Sequence, residues 1–495
     1  MMLMLHILAA CSAAAAVGSG AAGSAATPAS AAAAAPAAWP PYAASAAVLA
    51  DRLTACSYSP ALGVFVGEGL WQTGSTLETV GDALLAAAPP LPPRLRSSLL
   101  AVLEASYARL PAIVDNCFDD HQWYGHAWAV AHQATGNASY LLRAGQVFEY
   151  VAARGWETSV CGGGVTWCPP PTSPYKNAIT SELFLSLAMA LHPHAAELGK
   201  APTYYSDWGA RAWAWLAASG MRNSQSLLND GLQGVTCVNN GQTTWTYNQG
   251  VLLSGLARLS AATGDPAPLA AAVAIANASF ALLTVDGVLS EPCPGGQCGQ
   301  DGHIFKGVFV RHLGYLLQAP GLPPGFAAQA AAFLAANADA LLAQDACRDG
   351  GYGFRWGELQ CDVEDPATDS AALDLLLAAS AHAAPPPPGN ASAPAWALLG
   401  LGNCQDAAGA SMPNCFQDGL SLAACRDAAV VTPGAVAYDF HLPCLAEGVG
   451  FCRVRTLAGQ GACQGGLQYE GGSGTSVAQG DGSALTACYV RSASA

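Results

Sequence analysis

The chain has 495 residues, 52% of them hydrophobic and 11% charged, against roughly 25% charged in an ordinary soluble domain. Its 12 Trp, 15 Tyr and 13 Phe exclude a disordered chain, which is poor in aromatic side chains. A formal net charge of −15 with no Lys/Arg cluster excludes the basic footprint that nucleic acid or an anionic membrane surface attracts.

In chain order, residues 1–26 carry no charge and read as a secretory signal, an apolar stretch followed by small residues. Residues 27–42 are a low-complexity connector. From 43 to 385 the apolar residues recur with a period near 3.6, broken by polar, Gly-rich loops. This pattern predicts twelve helices near 44–58, 76–88, 95–110, 121–135, 139–154, 177–193, 203–219, 247–263, 267–284, 304–318, 325–345 and 368–384. Ala-Thr-Gly-Asn (134–137) and Ala-Thr-Gly-Asp (262–265) each join two of them, with Gly suited to the left-handed helix end and Asn or Asp to the next cap. Repeated hairpins of this kind make either a solenoid or a closed ring. Residues 386–400 form a Pro-rich linker, and 401–495 a Cys-rich module with seven cysteines.

Of the 17 cysteines, Cys11 falls in the leader and sixteen remain, which points to disulfides in an exported chain. The sequons at Asn137, Asn277 and Asn390 agree with that compartment. Cys161/Cys168 and Cys293/Cys298 have zinc-like spacing, but no matching His pair follows, so each is expected to clamp its own loop as a disulfide. His121, His126 and His132 lack zinc-protease spacing and are expected to be structural or at the surface. The acids Asp362, Glu364, Asp365 and Asp369 lack an EF-hand pattern and read as a turn and helix cap.

Four stretches interrupt the Ala/Leu pattern: Cys117-Phe-Asp-Asp-His-Gln-Trp-Tyr124, Cys161–Cys168 with Tyr175–Thr180, Thr244–Gly250 and Phe305–Arg311. Asp119 and Asp120 are adjacent, so their carboxyl groups lie within several ångströms of each other. Retaining glycosidases set two carboxyls roughly 5–5.5 Å apart and inverting ones about 6.5–9.5 Å apart; adjacency suits the first without excluding the second. An Asp pair at a helix start is more often only a cap. Here Trp123, Tyr124, Trp167, Trp245 and Tyr247, with Asn and Gln between them, supply the aromatic faces and amides that a sugar cleft uses.

Asp119-Asp120 before Trp123, Cys-Gly-Gly-Gly-x-x-Trp, Tyr-Lys-Asn-Ala-Ile-Thr, Thr-Tyr-Asn-Gln-Gly and Phe-Lys-Gly-Val-Phe, in this order over residues 43–385, resemble glycoside hydrolase family 76. That resemblance implies an all-α (α/α)6 barrel and endo-hydrolysis of α-1,6-linked mannan with retention. It also implies Asp119 as nucleophile, Asp120 as acid/base, and a substrate cleft formed by Trp123, Tyr124, Trp167, Asn177, Asp230, Tyr247, Asn248 and Gln249. No cofactor or catalytic metal is implied, and the expected partner is α-mannan or another mannose-containing wall glycan. Here Phe118 precedes the acid pair and His121 follows it, where bacterial members more often have Tyr and Glu. Two other readings are a wall transglycosidase using the same intermediate and a non-catalytic glycan binder. Ala423–Asp427, Ala435–Phe440 and Phe451–Arg455 resemble PAN/apple modules, which are disulfide-stapled binders of protein or carbohydrate. The expected protein is a secreted or cell-wall monomer, without a membrane anchor in the mature chain.

Overall fold

The computed structural model describes residues 41–86, 90–113, 117–169, 175–293, 298–345, 347, 350–358, 361–383 and, beyond them, 396–401, 404–405, 414–420, 425, 435–441, 450–456, 468–470, 479–480 and 486–491. The leader, most of the connector, residues 384–395 and Asn390 lie outside the described residues.

Twelve α-helices run in order: α1 (Pro41–Arg52), α2 (Leu70–Leu85), α3 (Pro93–Arg109), α4 (Phe118–Thr135), α5 (Ala138–Arg154), α6 (Ala178–Leu191), α7 (Tyr204–Ala218), α8 (Thr246–Thr263), α9 (Pro266–Leu282), α10 (Phe305–Leu317), α11 (Pro324–Gln344) and α12 (Pro366–His382). The short joints behave as their chemistry requires. Gly136 (φ 71°) and Gly264 (φ 74°) end α4 and α8 in the left-handed region. Asn137 and Asp265 then accept the Ser139 and Ala267 N–H groups at 3.0 and 2.9 Å.

The even-numbered helices form an inner ring. Each of α2, α4, α6, α8, α10 and α12 packs on the next, and α12 packs back on α2, which closes the barrel. Helices with neighbours on both sides are buried nearly all round, so polar residues on them must find partners inside. Arg311 of α10 does so at the closure: it donates to Asp374 of α12 at 3.0 and 2.7 Å and to Glu78 of α2 at 3.0 Å. Tight crossings use glycine. A Cβ on Gly250 would stand 2.4 Å from the Phe309 Cα, and one on Gly307 2.4 Å from the Ala371 Cα. Outer helices show one apolar stripe instead. On α5 it is Tyr140, Leu141, Ala144, Val147, Phe148 and Val151, at helical spacing.

The cysteines pair differently from the sequence expectation. Cys161 and Cys168 do not clamp one loop: Cys168 bonds Cys117 and Cys161 bonds Cys237, linking loops from different parts of the ring. Both segments lie over one end of the barrel, and tertiary proximity overrides sequence proximity. Cys293–Cys298 forms as expected, and Cys347–Cys361 is a further bond. Cys56 is also disulfide-bonded, and the other eight cysteines of residues 43–385 pair among themselves, so its partner lies outside that segment.

Beyond the helices, six strands form one antiparallel sheet. Their order is Gln468–Glu470, Asn414–Leu420, Gly450–Thr456, Ala435–His441, Thr486–Arg491 and Trp396–Leu401. Trp396–Leu401 falls partly within the stretch read as linker, because its apolar run pairs with Thr486–Arg491.

Candidate active site

The inner helices all begin at the same end of the barrel, so their first turns converge there. The α2 turn brings Trp71, α4 brings Asp119, Asp120 and Trp123, Asn177 caps α6, and α8 and α10 bring Tyr247 and Phe305. With Cys117, Trp167, Tyr175, Asp230 and Asp301 these residues line a groove of about 410 Å³.

Cys117 caps α4 with extended backbone, and Asp119 and Asp120 occupy the first turn, where the helix dipole favours negative charge. The loop carrying Trp167 is fixed against this turn twice, by the Cys117–Cys168 bond and by the Phe118 N–H donating to the Trp167 carbonyl at 2.8 Å. The Trp167 Nε1–H then donates to Asp119 Oδ2 at 3.0 Å, and the Asp120 N–H donates to Asp119 Oδ1 at 3.2 Å. Burial, followed by the Asp120 charge, pushes the Asp119 carboxyl up to about 8. Two carboxyls so placed titrate as a unit. The Trp167 and Asp120 N–H donors work against that rise, because each stabilises the ionised form of Asp119.

The groove walls are aromatic. Tyr247 stacks on Phe305 with centroids 3.9 Å apart, Trp123 lies parallel to Tyr247 at 6.4 Å, and Trp71 leans on Trp123 at 5.4 Å. Trp167 meets Tyr175 edge-on at 6.2 Å. Polar atoms interleave: Tyr175 donates to Asp230, Trp71 Nε1 donates to Asp301 at 2.9 Å, and Asn177 Oδ1 is buried with no protein partner among the described residues.

Seven of the ten residues expected in the site therefore come together: Asp119, Asp120, Trp123, Trp167, Asn177, Asp230 and Tyr247. The other three stand behind the wall. Tyr124 is buried, and its hydroxyl donates to the Leu70 carbonyl at 2.6 Å. Gln249 is buried and exchanges bonds with Leu228 backbone at 2.8 and 2.9 Å, holding the loop that carries Asp230. Asn248 is fully buried one residue past Tyr247, since helical rotation of about 100° per residue turns consecutive side chains to different faces. His121 likewise points inward, its ring against Tyr150 at 5.1 Å.

Trp71 and Asp301 complete the lining without having been singled out, together with Tyr175 and Phe305, which open two of the motifs but were not expected as site residues. For Trp71 the missing signal was the true start of α2, at Leu70 instead of 76, obscured because its first turns bury Gln72, Thr73 and Thr76. Among the acids 362–369 the expected cap is present, and ion pairs with Arg52 are added to it. Asp365 accepts the Thr368 N–H at 2.9 Å, and Glu364 and Asp369 pair with Arg52.

An inner ring of six helices closed on itself within an outer set defines the α/α-barrel class, here with an acid pair at the start of one inner helix. Within that class the chain belongs to glycosyl hydrolase family 76, whose sequence pattern matches residues 70–391. It is similar to a Candida glabrata protein named mannan endo-1,6-alpha-mannosidase DCW1, 28% identical over 52% of this chain and 52% of that one. A Saccharomyces cerevisiae protein of the same name is 28% identical over 48% of this chain and 54% of its own length. The chain thus spans about half the length of these curated relatives.

Among solved structures it resembles the GH76A alpha-1,6-mannanase of Salegentibacter sp. HEL1_6, with a TM-score of 0.59 and 23% identity over 68% of this chain and 99% of that one. A variant of that mannanase with two consecutive aspartates changed to asparagine is described as inactive and holds alpha-1,6-mannotriose. Dfg5 from Chaetomium thermophilum, in complex with glucosamine, shares the fold with a TM-score of 0.57 and 21% identity over 70% of this chain and 92% of that one.

Proposed function

We propose that the chain is a secreted glycoside hydrolase that cleaves α-1,6-linked mannan internally, with retention. The observation that carries this reading is the Asp119–Asp120 pair in a groove whose lining is otherwise largely aromatic. In ring order α4 stands between α2, with Trp71, and α6, with Asn177 and the Trp167–Tyr175 loop. Sugar rings bound on either side of the acids leave the scissile bond within a chain, which is endo action. The inactive double-aspartate variant of the Salegentibacter mannanase supports giving the chemistry to this pair.

In the proposed first step an Asp119 oxygen bonds to the anomeric carbon while Asp120 gives its proton to the departing glycosidic oxygen. The Trp167 and Asp120 N–H groups hold the Asp119 charge in line beforehand. In the second step Asp120 takes a proton from water, which attacks the same carbon and frees Asp119. The disulfides among the described residues support an exported protein. Residues 43–385 are then the catalytic domain and 401–495 an accessory module.

A second reading passes the glycosyl-enzyme to a sugar hydroxyl, and it is supported by a lining with enough aromatic faces to seat an acceptor sugar beside the donor. Linear α-1,6-mannan incubated with the protein, alone and with an added acceptor glycan, tests both. Hydrolysis gives shorter oligomers with the α-anomer formed first, whereas transfer gives products longer than the acceptor. Asp119→Asn and Asp120→Asn should each abolish both outcomes, and full turnover in both variants overturns the assignment.

A further inference from the structure

The far end of α4 carries a second cluster of chemistry-bearing side chains. With a rise of about 1.5 Å per residue, His132 lies about 20 Å along the helix from Asp119, away from the groove. Its ring meets that of His194 with centroids 5.0 Å apart and planes at 84°. His194 closes the short 3-10 turn His192–His194 that follows α6, and Glu197 lies one turn further on, 2.9 Å from His194 Nδ1. One ligand atom from each of His132, His194 and Glu197 lies within 4.8 Å of the others.

His132 is held as a metal-binding histidine is held. Its Nδ1 is 3.1 Å from the Asn137 carbonyl. A carbonyl oxygen only accepts, so Nδ1 is the donor, which leaves Nε2 as the nitrogen turned to a metal. A backbone carbonyl on the remote nitrogen is the support that orients and polarises ligating imidazoles. The Gly136 turn at the end of α4 brings that carbonyl back toward the ring.

We propose that His132, His194 and Glu197 form a zinc site outside the catalytic groove. Two neutral imidazoles and one carboxylate are ligands zinc takes, with water in the fourth position. Bonds of about 2.0–2.2 Å set tetrahedral ligands about 3.3–3.6 Å apart. The present separations, from 2.9 Å between His194 and Glu197 to no more than 4.8 Å, reach that value by small rotations of His194 and Glu197, whose side chains are 31% and 57% exposed. Imidazole ligands disfavour magnesium and calcium, which prefer oxygen donors. The ion would clip the end of the helix that carries the acids to the segment after α6, and it takes no part in the glycoside chemistry.

The full-length protein, stripped with a chelator, is titrated with ZnCl2 in a calorimeter, and its melting temperature is followed in parallel. The expected result is one zinc per chain, undisturbed by excess MgCl2, with a melting temperature that rises with zinc. Glu197→Gln and His194→Ala should weaken binding by at least about tenfold, while melting without zinc stays where it was. Failure to take up one equivalent overturns the proposal, as does unchanged affinity in the His132→Ala, His194→Ala double variant.

Discussion

Replacing Trp167 by Phe tests whether the indole N–H supports the chemistry or the ring merely stacks against sugar. The substitution keeps an aromatic face and leaves the Phe118-to-Trp167 backbone bond in place, but it removes the 3.0 Å donor to Asp119 Oδ2. A hydrogen bond to a charged acceptor contributes about 1.5–3 kcal/mol. Trp167 is 43% exposed, so solvent screening reduces this to about 1–2 kcal/mol, or about 5–30-fold in rate. The loss should fall on kcat, with KM little changed. Trp167→Ala, which also removes the stacking face, should raise KM as well. The donor favours the ionised Asp119, so losing it raises the carboxylate pKa and moves the acid limb of the kcat/KM profile to higher pH. Initial rates on α-1,6-mannan oligosaccharides across pH check both effects. Unchanged kcat together with an unmoved acid limb in Trp167→Phe would refute the role given to the indole.

Three further outcomes are expected. Burial and mutual repulsion make the Asp119–Asp120 pair hold one proton up to about 8, so kcat/KM should fall on the alkaline side as the pair loses it; a profile flat well beyond 8 removes the shared-proton account. Changing both Cys117 and Cys168 to Ser opens a link with sequence separation 51, worth at most about 4 kcal/mol, and it frees the Trp167 loop. The denaturation midpoint and the turnover should therefore drop together, and turnover preserved in the destabilised variant would separate the bond from the site. Glu182 is fully buried on α6, both its oxygens lack partners among the described residues, and burial pushes its carboxyl well above the ordinary range. Folding must then take up a proton that the unfolded carboxyl has lost at neutral pH, so stability falls as pH rises, by about 1.4 kcal/mol per pH unit between the two pKa values. Glu182→Gln should remove that slope and gain stability that grows with pH in urea titrations; an unchanged slope contradicts the assignment.

The twelve helices were legible because an amphipathic or buried helix writes its period into the chain, and the Gly-Asn and Gly-Asp joints write their caps. Boundaries were least legible where polarity was high. The start of α2 lay six residues earlier than the apolar pattern placed it, since an inner helix buries Gln72, Thr73 and Thr76 as readily as Leu77. The acid pair and most of the aromatic lining could be named from sequence for a related reason: Asp-Asp alone suits any helix start, but Trp and Tyr crowded beside it and at other helix starts are choices that helix stability does not favour.

What sequence could not determine was which of two neighbours faces the groove. Trp123 and Tyr124, or Tyr247 and Asn248, are equivalent in a string, but helical rotation sends one to the sugar and its neighbour into the wall. Nor could it pair Cys117 with Cys168, join Trp71 to Asp301, or bring His132 to His194. Each of these contacts crosses between elements, and only closure of the ring, sealed by Arg311 between Glu78 and Asp374, fixes which first turns and which loops share an end of the barrel.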